Sequence, residues 1–201
     1  VVGSTSIEQS YSTGNVNGGA TTGGLIGYAV GDINIINSYS TGNVKAGDTS
    51  IGGLIGFSDG NLEITNAYAT GDVSGDNSVG GLIGFINGLS LVVDSYASGN
   101  VNAATSSGGG LIGTIATGLN KEGKVVRIIN SHAEGDVNSN ENAGGFIGTM
   151  APVYQVQVII EDSYATGDVS GSLSIGGFAG AVQSGNGGRA LIKNSYAEGI
   201  V

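Results

Sequence analysis

The sequence has no cysteine, a single proline, a single histidine, and only six lysines and arginines against sixteen acidic residues. Without cysteine there can be no disulfide or thiolate metal site, and the redox compartment stays open. Near-absence of proline beside 40 glycines excludes collagen. Charged residues make up 11% of the chain and hydrophobic residues 39%, which excludes a disordered segment and requires a core. A net charge of −10 with no cluster of cations argues against a nucleic-acid partner and against an anionic membrane surface. No apolar run reaches the length of a membrane span, so no membrane insertion is expected. There is no signal peptide and no initiator methionine. The chain begins and ends inside the pattern described next, and is expected to be a processed product or part of a longer surface protein or filament.

What the sequence has in quantity is one unit, repeated. Ser-Tyr-Ser-Thr-Gly-Asn-Val and close variants start at Ser10, Ser38, Ala67, Ser95, Ser131, Ser163 and Ser195. Their aromatic position holds Tyr11, Tyr39, Tyr68, Tyr96, His132, Tyr164 and Tyr196, at steps of 28, 29, 28, 36, 32 and 32 residues. A second motif, Gly-Gly-Leu-Ile-Gly, follows at Gly23, Gly52, Gly80 and Gly109, and varies to Gly-Gly-Phe-Ile-Gly at Gly144 and Gly-Gly-Phe-Ala-Gly at Gly176. A third, apolar run leads into the next copy, as at Ile33 to Ile35 and Val158 to Ile160. Three β-prone runs separated by Gly, Asn, Asp and Ser are strands with turns. Glycine at this frequency, with no 3.6-residue period, excludes helix. A propeller blade needs four strands and a longer period. The expected fold is all-β: one domain over residues 1–201, a parallel β-solenoid with the right-handed hand of a β-helix, in about seven coils of three short strands. At ~4.8 Å per coil it would stand roughly 30 Å tall.

Gly24-Leu25-Ile26-Gly27 and its successors, with Ser-Tyr-Ala-Thr-Gly-Asp-Val as companion, resemble the GLUG repeat. The resemblance runs over nearly the whole chain. It implies a bacterial surface protein, adhesin-like, in an extracellular setting, and brings no catalytic residue. The zinc motif His-Glu-x-x-His of the IgA-cleaving metalloproteases that carry such repeats is absent, His132 being the only histidine.

In stacked coils, equivalent residues form columns. Ile7, Ile35, Ile64, Val92, Ile128, Ile160 and Ile192 are expected inside, and their neighbours Glu8, Ile36, Thr65, Val93, Ile129, Glu161 and Lys193 outside. Gln9, Asn37, Asn66, Asp94, Asn130, Asp162 and Asn194 form a polar corner ladder rather than a catalytic set. The tyrosines, flanked by small residues, are expected outside and stacked face to edge, with Tyr39, Tyr68 and Tyr96 either a stabilising ladder or a stripe for a carbohydrate or partner. His132 reads as an aromatic substitute in that column. Asp72, Asp136 and Asp168 share a turn column with Asn15, Asn43 and Asn100. Calcium there would relieve repulsion, but the Gly-Gly-x-Gly-x-Asp calcium repeat is missing, and no cofactor is expected.

Longer repeats place insertions at Thr114 to Lys124 and Thr149 to Gln155, expected to protrude together, with Tyr154 and Lys121 as a candidate local site. The Leu25, Leu54, Leu82, Leu111, Phe146, Phe178 column sits beside the Ile26, Ile55, Ile83, Ile112, Ile147, Ala179 column. Alternation along a strand allows one of them inside and sets the other out as a strip for self-association or a neighbouring domain. An irregular strand that turns both inward is the alternative. A Thr column suited to ice binding, Thr13, Thr41 and Thr70, is interrupted by Ser98, Glu134 and Glu198. No acid–base pair suits a polysaccharide-active enzyme. The expected function is an extracellular structural or adhesive module, not an enzyme, whose partners are its own copies, adjoining domains, a glycan or a host surface.

Overall fold

The computed structural model describes residues 4–117 and 125–201, and within them every regular element is a strand. All strand pairs are parallel, and partners lie one repeat apart in sequence. The chain is therefore a parallel β-solenoid with three strand faces per coil. Six full turns are completed, and the terminal strands Ser4–Glu8 and Tyr196–Ala197 add a seventh rung to the long face and to the tyrosine face.

The faces differ in length because their residues differ. The tyrosine face consists of two-residue strands, from Tyr11–Ser12 through Tyr68–Ala69 to Tyr196–Ala197. The glycine face runs from the valine of the first motif to the Gly-Gly pair, as in Val73–Gly80 and Val101–Gly109. The long face takes up the rest of the coil. It is one strand in Ile26–Ile36 and Ile55–Thr65, and it divides in later turns, as into Ile83–Ile86 and Leu89–Val93.

The core lies between the faces. Ile7, Ile35, Ile64, Val92, Ile128, Ile160 and Ile192 are in register. Ile35, Ile64, Val92, Ile128 and Ile160 are fully buried, whereas Ile192, in the last turn, is 41% exposed. A second, smaller cluster, including Val73, Ile51, Val79 and Val101, fills the space under the glycine face. Behind the tyrosines the interior is tight, so only small residues fit: Ser38, Ser40, Ala67, Ala69, Ser95 and Ala97 are buried.

The strip expected outside is inside. Leu54, Leu82, Leu111 and Phe146 are fully buried, and so are Ile55, Ile83, Ile112 and Ile147. Strand alternation does not apply because the chain bends between the glycine and long faces. The N–H groups of Leu54 and Ile55 both donate to the Leu82 carbonyl, at 2.9 and 3.0 Å. Those of Leu82 and Ile83 both donate to the Leu111 carbonyl. In a straight strand, successive N–H groups point to opposite edges. Here they converge, so both side chains turn into the corner and fill it. Leu54, Leu82, Leu111 and Phe146 are core residues and offer no interaction surface.

Candidate interaction surface

Each corner and face carries a ladder, and the ladders are what the repeat presents to solvent. At the corner before the tyrosine face, Gln9, Asn37, Asn66, Asp94, Asn130, Asp162 and Asn194 all have φ between 48° and 53°. That left-handed conformation disfavours most side chains and is tolerated by Asn and Asp, which explains the polar column. The side chains also bond along the axis: Asn66 Nδ2 donates to Asn37 Oδ1 at 2.6 Å, and Asn194 Nδ2 to Asp162 Oδ1 at 3.1 Å.

The serine that follows bridges the same corner. The hydroxyls of Ser38, Ser95, Ser131 and Ser163 donate to the carbonyl two residues back, at 2.8–2.9 Å. Their oxygens accept the N–H of the equivalent residue one coil earlier, as in Ser95 N to Ser131 Oγ. Ala67 interrupts this file.

Turn residues Asn15, Asn43, Asp72, Asn100, Asp136 and Asp168 form a third ladder. Each Oδ1 accepts the backbone N–H of the equivalent residue in the next coil, at 2.7–3.0 Å. Asp136 and Asp168 therefore have backbone donors rather than only each other. Among the described residues no group of three or more His, Asp or Glu side chains comes together as a metal cluster.

The aromatic column is continuous. Ring centroids from Tyr11 through Tyr39, Tyr68, Tyr96, His132 and Tyr164 to Tyr196 are 4.8–5.4 Å apart, with planes within 9° of parallel. The expected face-to-edge arrangement does not occur. Residues in register share backbone geometry and hence rotamer, so the rings repeat in parallel, slipped at the strand spacing. Six such pairs contribute about 0.5–1.5 kcal/mol each. The consequence for binding is direct. The faces of Tyr39, Tyr68 and Tyr96 lie against their neighbours, and only ring edges and hydroxyls reach solvent. A sugar ring has no free aromatic face to stack on along this column.

A second outer stack, Tyr28, Phe57 and Phe85, has centroids 5.2 Å apart. Its sequence signal was available: an aromatic residue directly after each of the first three Gly-Leu-Ile-Gly motifs. A second left-handed column, Ser50, Ser78, Ser107, Asn142 and Ser174, also escaped the sequence reading, because serine does not announce that conformation.

His132 occupies a tyrosine position, as expected. Burial holds its pKa below the ordinary 6.5, opposed by Glu134, whose Oε1 is 3.7 Å from Nε2. Burial, and then neighbouring groups including Glu134, raises the pKa of Tyr96 and Tyr164. For His132 the unfolded chain takes up a proton first as the pH falls. Its contribution to stability is therefore complete above 6.5 and is lost as the pH drops through the lowered folded-state value. The difference in denaturant midpoint between the parent and His132→Tyr should accordingly widen in favour of the variant from about pH 7.5 to about pH 5. A constant difference would contradict the assignment.

The described parts of the two insertions, residues 114–117 and 149–155, lie in the wall rather than in a protrusion, and residues 118–124 lie outside the described residues. Thr114 and Thr149 are buried, paired members of the strands Ile112–Ala116 and Ile147–Ala151. Their hydroxyls bond to Ser78 and Ser107, at 2.9 and 2.8 Å. Pro152 is buried and Tyr154, at φ 52°, is half-buried. The next coil bonds onto this turn through Gly185 N to Pro152 O and receives Gln155 N at Asn186 O. The turn is part of the wall because its polar backbone is paired like that of the other corners. Lys121 lies outside the described residues.

The repeat unit these columns define, a Gly-Gly-Leu-Ile-Gly corner with an in-register companion strand, is matched by the family model of the GLUG motif at residues 18–45 and 47–74. These two stretches are GLUG repeats. The same columns continue in register through the later turns, from Gly80-Gly81-Leu82-Ile83 to Gly144-Gly145-Phe146-Ile147. No curated protein and no solved structure matches the chain.

Proposed function

We propose that this chain is a structural and adhesive module of an extracellular surface protein, a rigid spacer rather than an enzyme. The observation that carries the reading is the continuity of the ladders. The aromatic, turn-amide and aliphatic columns run through every turn, so each coil is bound to the next by the same contacts. Stability that sums over nearest neighbours suits a part whose purpose is length and stiffness. The module sits at the cell surface, where it holds adjoining domains or a glycan- or host-binding region away from the cell. It needs no cofactor for this.

Removing one whole turn, residues 67–94, joins Asn66 to Ser95 with every column still in register. The shortened chain should fold and be shorter by about 4.8 Å along its axis, measured by small-angle scattering. In the intact surface protein, reach should shorten while attachment survives. Loss of folding, or loss of attachment without loss of reach, would overturn the spacer reading.

A further inference from the structure

The outer side of the long face divides into two unlike halves. Three outward columns run up it beside the buried isoleucines. The middle one is Ser6, Asn34, Glu63, Leu91, Arg127, Ile159 and Leu191, in register throughout. The first turns of this face carry Glu8, Asp32 and Glu63. The later turns carry Arg127, Arg189 and Lys193, half of all the lysine and arginine in the chain, with Lys193 held by Glu161 at 3.5 Å. Between and among them lie Leu89, Leu91, Val93, Val125, Ile129 and Ile159, all half-buried, and Leu191, 50% exposed. The surface holds a shallow depression of about 430 Å³ bordered by Glu63, Leu89, Leu91, Val125 and Arg127.

We propose that two copies of this chain pack through this surface, face to face and with their axes antiparallel. A two-fold axis along the central strand, Leu89–Val93, reverses the order of coils across the interface. Each column then meets itself backwards. Leu91 faces the partner's Leu91, and Glu63 faces the partner's Arg127. Leu89 and Val93 also face their own equivalents, which gives an apolar centre with charge pairs on either side, the arrangement of a specific interface. The parallel alternative sets Glu63 against Glu63 and Arg127 against Arg127, and like charges opposite one another reject it. Neither Glu63 nor Arg127 has an ion-pair partner within the chain among the described residues. Strands of five residues stacked over seven rungs give a footprint of about 500 Å² per copy, or about 1,000 Å² in all, at the lower end of what a specific interface buries. The spacer reading does not depend on this pairing.

Sedimentation of the 201-residue chain tests the proposal. A monomer–dimer equilibrium is expected at micromolar concentration. Glu63→Arg and Arg127→Glu should each weaken it by about tenfold or more, and the two together should restore it to within about threefold of the parent. Leu91→Asp, which sets two carboxylates together on the two-fold axis, should abolish it. Circular dichroism confirms the fold of each variant, and the charge pair carries the test if Leu91→Asp does not fold. A parent that remains monomeric at about 100 μM, well above the micromolar range expected, would overturn the proposal. So would a dimer indifferent to all three substitutions, or a double variant as weak as its worse parent.

Discussion

Gly81→Ala should cost at least about 3 kcal/mol, a large part of the 5–15 kcal/mol that holds a typical domain together. The effect follows from where the methyl group would go. A Cβ on Gly81 would stand 2.1 Å from the Gly110 carbonyl oxygen in the next coil and 2.8 Å from Ala97 Cβ. Neither obstacle is the end of a flexible side chain, so relief requires the coils to move apart. Gly53 and Gly110 meet the same obstruction, so the spacing is a property of the column. Moving coils apart at this corner strains the paired N–H groups of Leu82 and Ile83 on the Leu111 carbonyl and opens the corner they fill. Gly47 is the control: nothing lies within 4 Å of its added Cβ, and Gly47→Ala should stay within about 0.5 kcal/mol of the parent. Urea midpoints of the two variants check the contrast. Equal midpoints would mean that the corner yields and that close approach does not hold the coils together.

Ile64→Ala should cost about 2–5 kcal/mol. Ile64 is fully buried, stacked between Ile35 and Val92 in the same column. Coils above and below hold these neighbours in place by strand pairing, so they cannot collapse into the space left behind, which favours the upper part of the range. The same substitution at Ile192, in the same column but 41% exposed, should cost less than half as much. Thermal or denaturant unfolding of the two variants gives the comparison directly. Similar losses at both positions would show that the column contributes strand propensity rather than packing.

The repeat, the three runs per coil and the aliphatic column were all legible in the sequence, for one reason. In-register stacking makes position within the repeat equivalent to position in space. Asn37, Asn66 and Asn130 could be assigned to a corner because only a structural demand keeps a polar amide or carboxylate at one place in every turn. The Leu54 and Ile55 pair misled because alternation is a rule for straight strands, and nothing in Gly-Gly-Leu-Ile-Gly says that the chain bends at its centre. Thr114 and Thr149 misled in the opposite way. Counting residues placed them in loops, while the long face had room to pair them. The tyrosine column was found, but its geometry was not: parallel rings follow from shared rotamers, and that closes the ring faces that a sugar would need.

The sequence by itself determined the unit, its period, the all-β class and the identity of the innermost aliphatic column, since these are local and repeat in every turn. Tertiary structure alone decided which surfaces are free. Burial of the leucine and phenylalanine column depends on how two faces meet at a corner. The divided outer side of the long face depends on which coils lie above which. Exposure is a sum over neighbours that are distant in the chain, and no single repeat contains it.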